Sequence, residues 1–267
     1  MADAVNRMDA PEASAVLRNT GILPYQAILE MRDNGEIKPA EILTAIADDQ
    51  IQPASIDLRL GYCAYPVDTS FLPGAELTVM EKIRELDARA DDFKIDLRGG
   101  AVLEKGRVYV IPLLEEIYLK SEVAGFANPK SSTGRLDILT RLIADKGIAF
   151  DQVEKGYKGK LYVEVVPRTF SVVVKTGTRL NQLRFTRARG NTPDSIPPQE
   201  WKRLLDEGEL VDLEDKEKKL SEEKGMLRFT VDLRGSGEEG GLIGYRAKRH
   251  ARRIDLEQRG YYDPLDF

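Results

Sequence analysis

Among its 267 residues the chain has one cysteine, Cys63, and one histidine, His250. A hydrolytic zinc site needs about three His or Cys ligands at fixed spacing, and this chain does not supply them. An intrachain disulfide is excluded for the same reason. Ser-His-Asp catalysis is disfavoured, because His250 lies in the basic run YRAKRHARR, which reads as a solvated patch before it reads as a phosphate contact. No apolar run approaches the length of a membrane span. The opening MADAVNRMDAPEAS lacks the continuous apolar core of a signal peptide. These absences point to a reducing cytoplasm. Positive charge is not in excess: 40 Lys and Arg face 45 Asp and Glu, a net charge of -5. A sequence-independent grip on nucleic acid is therefore not expected, whereas a local basic cluster for a small phosphorylated ligand is compatible.

Two motifs stand out among what is present. NPKSSTGR, residues 128–135, packs Lys130, Ser131, Ser132, Gly134 and Arg135 into one short stretch. Cations and hydroxyls on a loop suit phosphate oxygens. The same serines also suit a plain helix cap. The second motif, GYKGKLYVEV at 156–165, is a turn running into an apolar strand with one carboxylate, Glu164. A carboxylate among valines suits general acid–base chemistry. Alternation places Lys160, Tyr162, Glu164 and Val166 on one face, and a wetted face explains that pattern equally well.

Pro24 opens a short helix over 24–34 that ends near Gly35, and a second helix is expected over 40–47. From 52 to 189 the chain reads as short strands rich in Val, Ile, Tyr and Leu, separated by Gly, Pro and Asp. RVYVIPLL, KLYVEVVP and FSVVVKTG are the clearest of them. GRLDILTRLI, 134–143, reads as one or two helical turns after the serine loop. Many short strands at close spacing favour a mainly β fold, a jelly roll or barrel with a few short helices. Residues 190–226 read as a charged surface helix and linker.

There is an internal repeat. LPYQAILEMRDNGEI, from Leu23, matches IPPQEWKRLLDEGEL, from Ile196, at Pro24, Gln26, Asp33, Gly35 and Glu36. SIDLRLG, from Ser55, matches TVDLRGS, from Thr230, at nearly the same offset. A second copy is thus expected to begin near 190 and to lack counterparts of both motifs, as a truncated or naturally shortened form would.

QPASIDLRLG, PKSSTGRLD, GYKGKLYVEV and GTRLNQLRF occur here in one order. That ordered set resembles the dCTP deaminase branch of the deoxyuridine-triphosphatase-like superfamily, and the repeat resembles its longer form with two such domains. Residues 1–20 read as an N-terminal arm; the resemblance implies a deaminase domain over 21–189, followed beyond the linker 190–226 by an incomplete second copy over 227–267. It implies a distorted β jelly roll, a homotrimer with shared active sites, dCTP as substrate and Mg²⁺ carried with the triphosphate, without zinc, nucleic acid or membrane partners.

Residue by residue, the resemblance makes Glu164 and Ser131 catalytic. Lys130, Ser132 and Arg135 would hold phosphates, Tyr157 would lie by the sugar, and Gln182 would lie near the nucleotide or else form a cross-strand hydrogen bond. The segment ADKGIAFDQVEKGY is longer than its usual counterpart. Asp151 is the best match to the family aspartate there and would contact the substrate, with Asp145 the alternative, and Lys146 fills a basic position. Asp57 and Arg59 read as structural ties. The activity implied is zinc-independent hydrolysis of dCTP to dUTP and ammonia. The alternatives are a dUTP diphosphatase, an enzyme performing both steps, or a nucleotide-binding fragment without turnover.

Overall fold

The computed structural model describes residues 21–41, 44–187 and 243–267. The expected N-terminal arm and the 190–226 linker lie outside the described residues, as does most of the second copy. The chain divides into one unit of residues 1–191 with 248–267 and another of 192–247. Of the latter, the described residues 243–247 carry neither helix nor strand. No helix among the described residues is long and apolar enough to cross a membrane.

The first unit is built from sheets that are antiparallel except for one pair, between Val172–Val174 and Ile254–Asp255. One holds β11 (Gln152–Val153), β9 (Val123–Pro129), β14 (Arg179–Arg187), β4 (Ser55–Arg59) and β3 (Ile51–Gln52) in that order, with β1 (Gly21–Ile22) also on β14. The second runs β10 (Ile138–Ala144), β12 (Lys158–Pro167), β8 (Val108–Tyr118), β5 (Cys63–Val67), β6 (Ile95–Asp96), with β2 (Ile37–Pro39) also on β8. A three-stranded sheet joins β7 (Ala101–Leu103), β13 (Val172–Val174) and β15 (Ile254–Asp255).

Alternation decides which side chains meet. Leu161, Val163 and Val165 of β12 join the main core with Ile56, Leu58, Ile111, Leu183 and Phe185. Tyr162, on the opposite face, joins a second cluster with Tyr65, Val79, Ile83, Ala90, Val110 and Ile143. The sheet is thus apolar on both sides at its centre, which explains why β8 and β12 read as nearly continuous hydrophobic runs.

The outer cluster is closed by a helix that the strand-rich reading of 52–189 passed over. Val79–Leu86 (here α2; α1 is Tyr25–Asp33) is capped by Thr78, whose side chain accepts from the Glu81 N–H while the Glu81 carboxylate accepts from the Thr78 N–H. T-x-x-E before an apolar residue is a capping-box signature and was legible. Its Val79 and Ile83 are buried against the sheet.

Two local expectations are corrected. Helix α1 forms as expected behind Pro24, but no helix occurs at the described residues of 40–47; a 3-10 turn follows at Asp48–Gln50. The stretch 134–143 is helical only over Ser131–Gly134, α3, and then becomes β10. Asp137 at φ 53° ends the turn, and pairing of Ile138–Ala144 with β12 supplies the hydrogen bonds a helix would otherwise have made.

Pro112 sits inside β8, where it has no N–H to donate. The register between β8 and β12 shifts there, between Lys160 and Tyr162. The Pro112 carbonyl instead accepts from the Gly61 N–H at 2.8 Å, and a Cβ at Gly61 would stand 2.5 Å from that oxygen, so the position requires glycine.

Candidate active site

Glu164 stands at the register position opposite Arg141 of β10. It lies on the Tyr162 face of the sheet, and it is 1% exposed. The wetted-face reading of that pattern therefore does not hold: Tyr162 is buried too, and only Lys160 at the strand's start is open to solvent. Glu164 Oε1 accepts from Arg141 Nε at 2.9 Å and from Nη2 at 2.6 Å. Glu164 Oε2 is buried with no hydrogen-bond partner among the described residues. Arg141 Nη2 also donates to Ser70 Oγ at 2.5 Å, and its guanidinium lies 4.0 Å from the centre of the Phe150 ring.

Asp151 lies in the same neighbourhood. It adopts φ 63°, and its Oδ1 accepts the Leu142 N–H at 2.8 Å. Burial pushes its carboxyl above the usual range, opposed by that hydrogen bond and by the Arg141 cation, and the Glu164 charge adds to the rise. Asp145, the alternative aspartate, accepts the Val79 N–H at 2.8 Å and is likewise raised, first by burial. Both carboxylates thus anchor backbone: Asp151 fixes the turn beside β10, and Asp145 ties that turn to α2.

Tyr157 is engaged within the fold. Its hydroxyl donates to the Lys160 carbonyl at 2.5 Å and accepts from the Asp145 N–H at 3.1 Å, and burial pushes it well above an ordinary phenol. With Thr78, Asp145, Lys146, Gln152 and Lys158 it lines a cavity of about 380 Å³. Lys146 adopts φ 59° in this turn.

The serine turn lies between β9 and β10. Its anchor is internal: Thr133 Oγ1 donates to the Leu180 carbonyl at 2.9 Å, and the Lys130 N–H donates to the same carbonyl at 3.0 Å. With Thr133 turned inward, Ser131, Ser132 and Arg135 are left exposed. Lys130 does not share that exposure. Its ammonium is paired with the buried carboxylate of Asp57 on β4. Gln182 stands opposite both Asp57 and Asn128, and its Oε1 accepts from Ser55 Oγ at 3.1 Å, a cross-strand hydrogen bond. Arg59 is also a tie, as expected: its Nε meets the buried Glu115 at 2.6 Å.

Within one chain the sequence-marked residues form three groups. Ser131, Ser132 and Arg135 face solvent with Lys130, Asp57 and Gln182 behind them. Glu164, Arg141 and Asp151 form the second, and Tyr157, Asp145 and Lys146 the third. No hydrogen bond or ion pair among the described residues joins the serine turn to Glu164, although β10 runs directly from one to the other. Arg141 and Ser70 were missed from sequence. Their signal was the β character of ILTRLIA, which would have set Arg141 across from Glu164.

Residues 19–189 match the family model of the 2'-deoxycytidine 5'-triphosphate deaminase N-terminal domain, and residues 198–267 match that of its C-terminal domain. The crystal structure of 2'-deoxycytidine 5'-triphosphate deaminase from Agrobacterium tumefaciens is 40% identical, with a TM-score of 0.80 over 94% of this chain and 69% of that one. A dCTP deaminase of Haloarcula marismortui is 27% identical over 151 residues, 56% of this chain and 72% of the relative. A dUMP-forming dCTP deaminase of Coprothermobacter proteolyticus is 24% identical over 147 residues, 55% of this chain and 73% of the relative. The expected β fold is the fold found, and the chain belongs to the dCTP deaminase family.

Proposed function

We propose that the protein hydrolyses dCTP to dUTP and ammonia, with Glu164 as the general acid–base group. The observation that carries this reading is a fully buried carboxylate with one oxygen held by Arg141 and the other unpartnered among the described residues. A buried carboxylate without a second partner is costly as pure structure. As a base it has a use: Oε2 takes a proton from water as the water oxygen adds to C4 of cytosine and passes it to ring N3, and the hydroxyl proton then goes to the amine as the C4–N bond breaks, giving ammonia and the C4 carbonyl. Ser131 orients the water or the ring. Ser132 and Arg135, exposed on a turn fixed from inside by Thr133, hold phosphate oxygens, so that binding energy remote from the ring orients it.

Lys130 supports the turn through its pair with Asp57. Tyr157, Gln182 and Asp151 shape the walls. The separation of the serine turn from Glu164 within one chain favours a site shared between subunits of a trimer. Among the described residues no group of three or more His, Cys, Asp or Glu is placed to hold a metal. Ser132 and Arg135 on the turn fit phosphate, and Mg²⁺ carried with the triphosphate would neutralise part of its charge. The second reading, further hydrolysis to dUMP, needs an aspartate as water base, and Asp145 and Asp151 each anchor a backbone N–H through Oδ1.

The test is incubation with dCTP and Mg²⁺, with and without a zinc chelator, followed by chromatographic separation of dUTP from dUMP. Glu164→Gln is expected to lose about 10²–10⁴ in rate while still binding nucleotide. Near-normal turnover by that variant would remove the assignment.

A further inference from the structure

We propose that Arg141 is a positioning residue for Glu164 in this reaction, and that Ser70, from the segment ahead of α2, fixes Arg141. The inference rests on Glu164 being the base. Its ground is the way the hydrogen bonds are distributed. An arginine meeting a carboxylate for stability alone most often forms a parallel fork, one N–H to each oxygen. Here Nε and Nη2 both converge on Oε1, at 2.9 and 2.6 Å. Oε2 is left buried and unpartnered among the described residues. The guanidinium thus compensates the buried charge while keeping one oxygen available for proton transfer.

The second half of the geometry is what immobilises Arg141. Ser70 Oγ accepts from Nη2 at 2.5 Å, and the Phe150 ring lies under the guanidinium plane at 4.0 Å. Phe150 belongs to the turn that Asp151 ties to Leu142, and Phe71 and Leu72 pack with Phe150 against the outer cluster. The segment between β5 and α2 therefore reaches the base through one hydroxyl. A lysine keeps the charge but not the planar fork, so it cannot hold both Oε1 contacts and Ser70 together.

The experiment is steady-state kinetics with dCTP on Ser70→Ala, Arg141→Lys and Arg141→Met, each with its melting temperature, beside Glu164→Gln. A displaced base should act on kcat: a fall of about tenfold to a hundredfold for Arg141→Met, with KM changed by less than about threefold. Arg141→Lys should recover part of that loss. Ser70→Ala should lower kcat by about two- to tenfold at an unchanged melting temperature, the effect of one hydrogen bond. Should Arg141→Met fail to fold, Arg141→Lys and Ser70→Ala decide the matter by the same split. Undiminished kcat in the folded Arg141 variants, with Glu164→Gln inactive, would overturn the positioning role alone. Full turnover by Glu164→Gln would overturn the base assignment and this proposal with it.

Discussion

Single side chains separate two kinds of work here. Arg135 is exposed, while Lys130, five residues earlier, is paired with Asp57. On this basis Arg135→Ala should weaken dCTP binding roughly tenfold to a hundredfold, the value of a charged hydrogen bond, and leave deoxycytidine binding nearly unchanged. Calorimetric titration with both ligands checks it; equal losses would make Arg135 structural. Asp151 carries a pH prediction. Its carboxyl is raised by burial, so the folded chain holds this proton more tightly than the unfolded one. Its contribution to stability is therefore complete below the unfolded value, about pH 4, and falls as pH rises through the folded value. Asp151→Asn keeps an oxygen for the Leu142 N–H and removes the titration. Denaturant unfolding from pH 4 to 8 should show a flatter profile for the variant, with a gain over wild type at the upper end. Identical profiles would mean that Asp151 titrates alike in both states.

At the scale of elements, a short turn and a strand together carry the candidate site. Residues 131–134 make one helical turn because Thr133 and the Lys130 N–H are both pinned to Leu180, and β10 follows because its residues pair with β12. Asp57 on β4 completes the support of the turn from below. Removing it leaves the Lys130 ammonium without its partner in a partly buried place. Asp57→Ala should cost about 1–3 kcal/mol in stability and raise KM for dCTP more than it lowers kcat. Urea unfolding and kinetics measure both; unchanged values would show the pair to be incidental. Helix α2 plays the complementary part, covering the face of β12 on which Glu164 stands. Its cap at Thr78 borders the cavity that Tyr157 and Lys146 line.

Over the whole molecule, the last residues belong with the first domain. Ile254–Asp255 pairs in parallel with β13, the Ile254 N–H reaching the Ser171 carbonyl and the Leu256 N–H that of Val173. Phe267 meets Phe170 edge-on at 5.8 Å and Tyr262 at 5.4 Å. Glu257 accepts from Thr178 and pairs with Lys175 at 3.0 Å. Residues 248–267, at the end of the expected second copy, thus lie against the edge of β13. Ending the chain at Ala247 exposes Val172 on the edge of β13 and leaves Phe170 without its ring partner Phe267. With burial of one aliphatic side chain worth about 1.5–3 kcal/mol, the melting temperature should fall by roughly 5–10 °C. Scanning fluorimetry of the two lengths tests this, and equal melting would show the segment to be dispensable for stability.

Composition alone argued against a zinc centre of several His and Cys ligands and against an intrachain disulfide, because the chain has one cysteine and one histidine. Local pattern was enough for the β class, for α1 behind Pro24, and for Ser131, Ser132, Arg135 and Glu164 as the residues to watch. Those readings depend on spacing along the chain, which the sequence carries whole. It could not tell helix from strand at 134–143, since a short apolar run fits either period and the choice was made by the free edge of β12. The state of the Glu164 face was equally out of reach: alternation names a face but not what covers it, and α2 covers it from some eighty residues upstream in the chain. Nor could it show that Lys130 is spent on Asp57 or that Arg141 holds Glu164. Each of those pairs joins residues distant in sequence, and only the closing of the sheets brings them within reach.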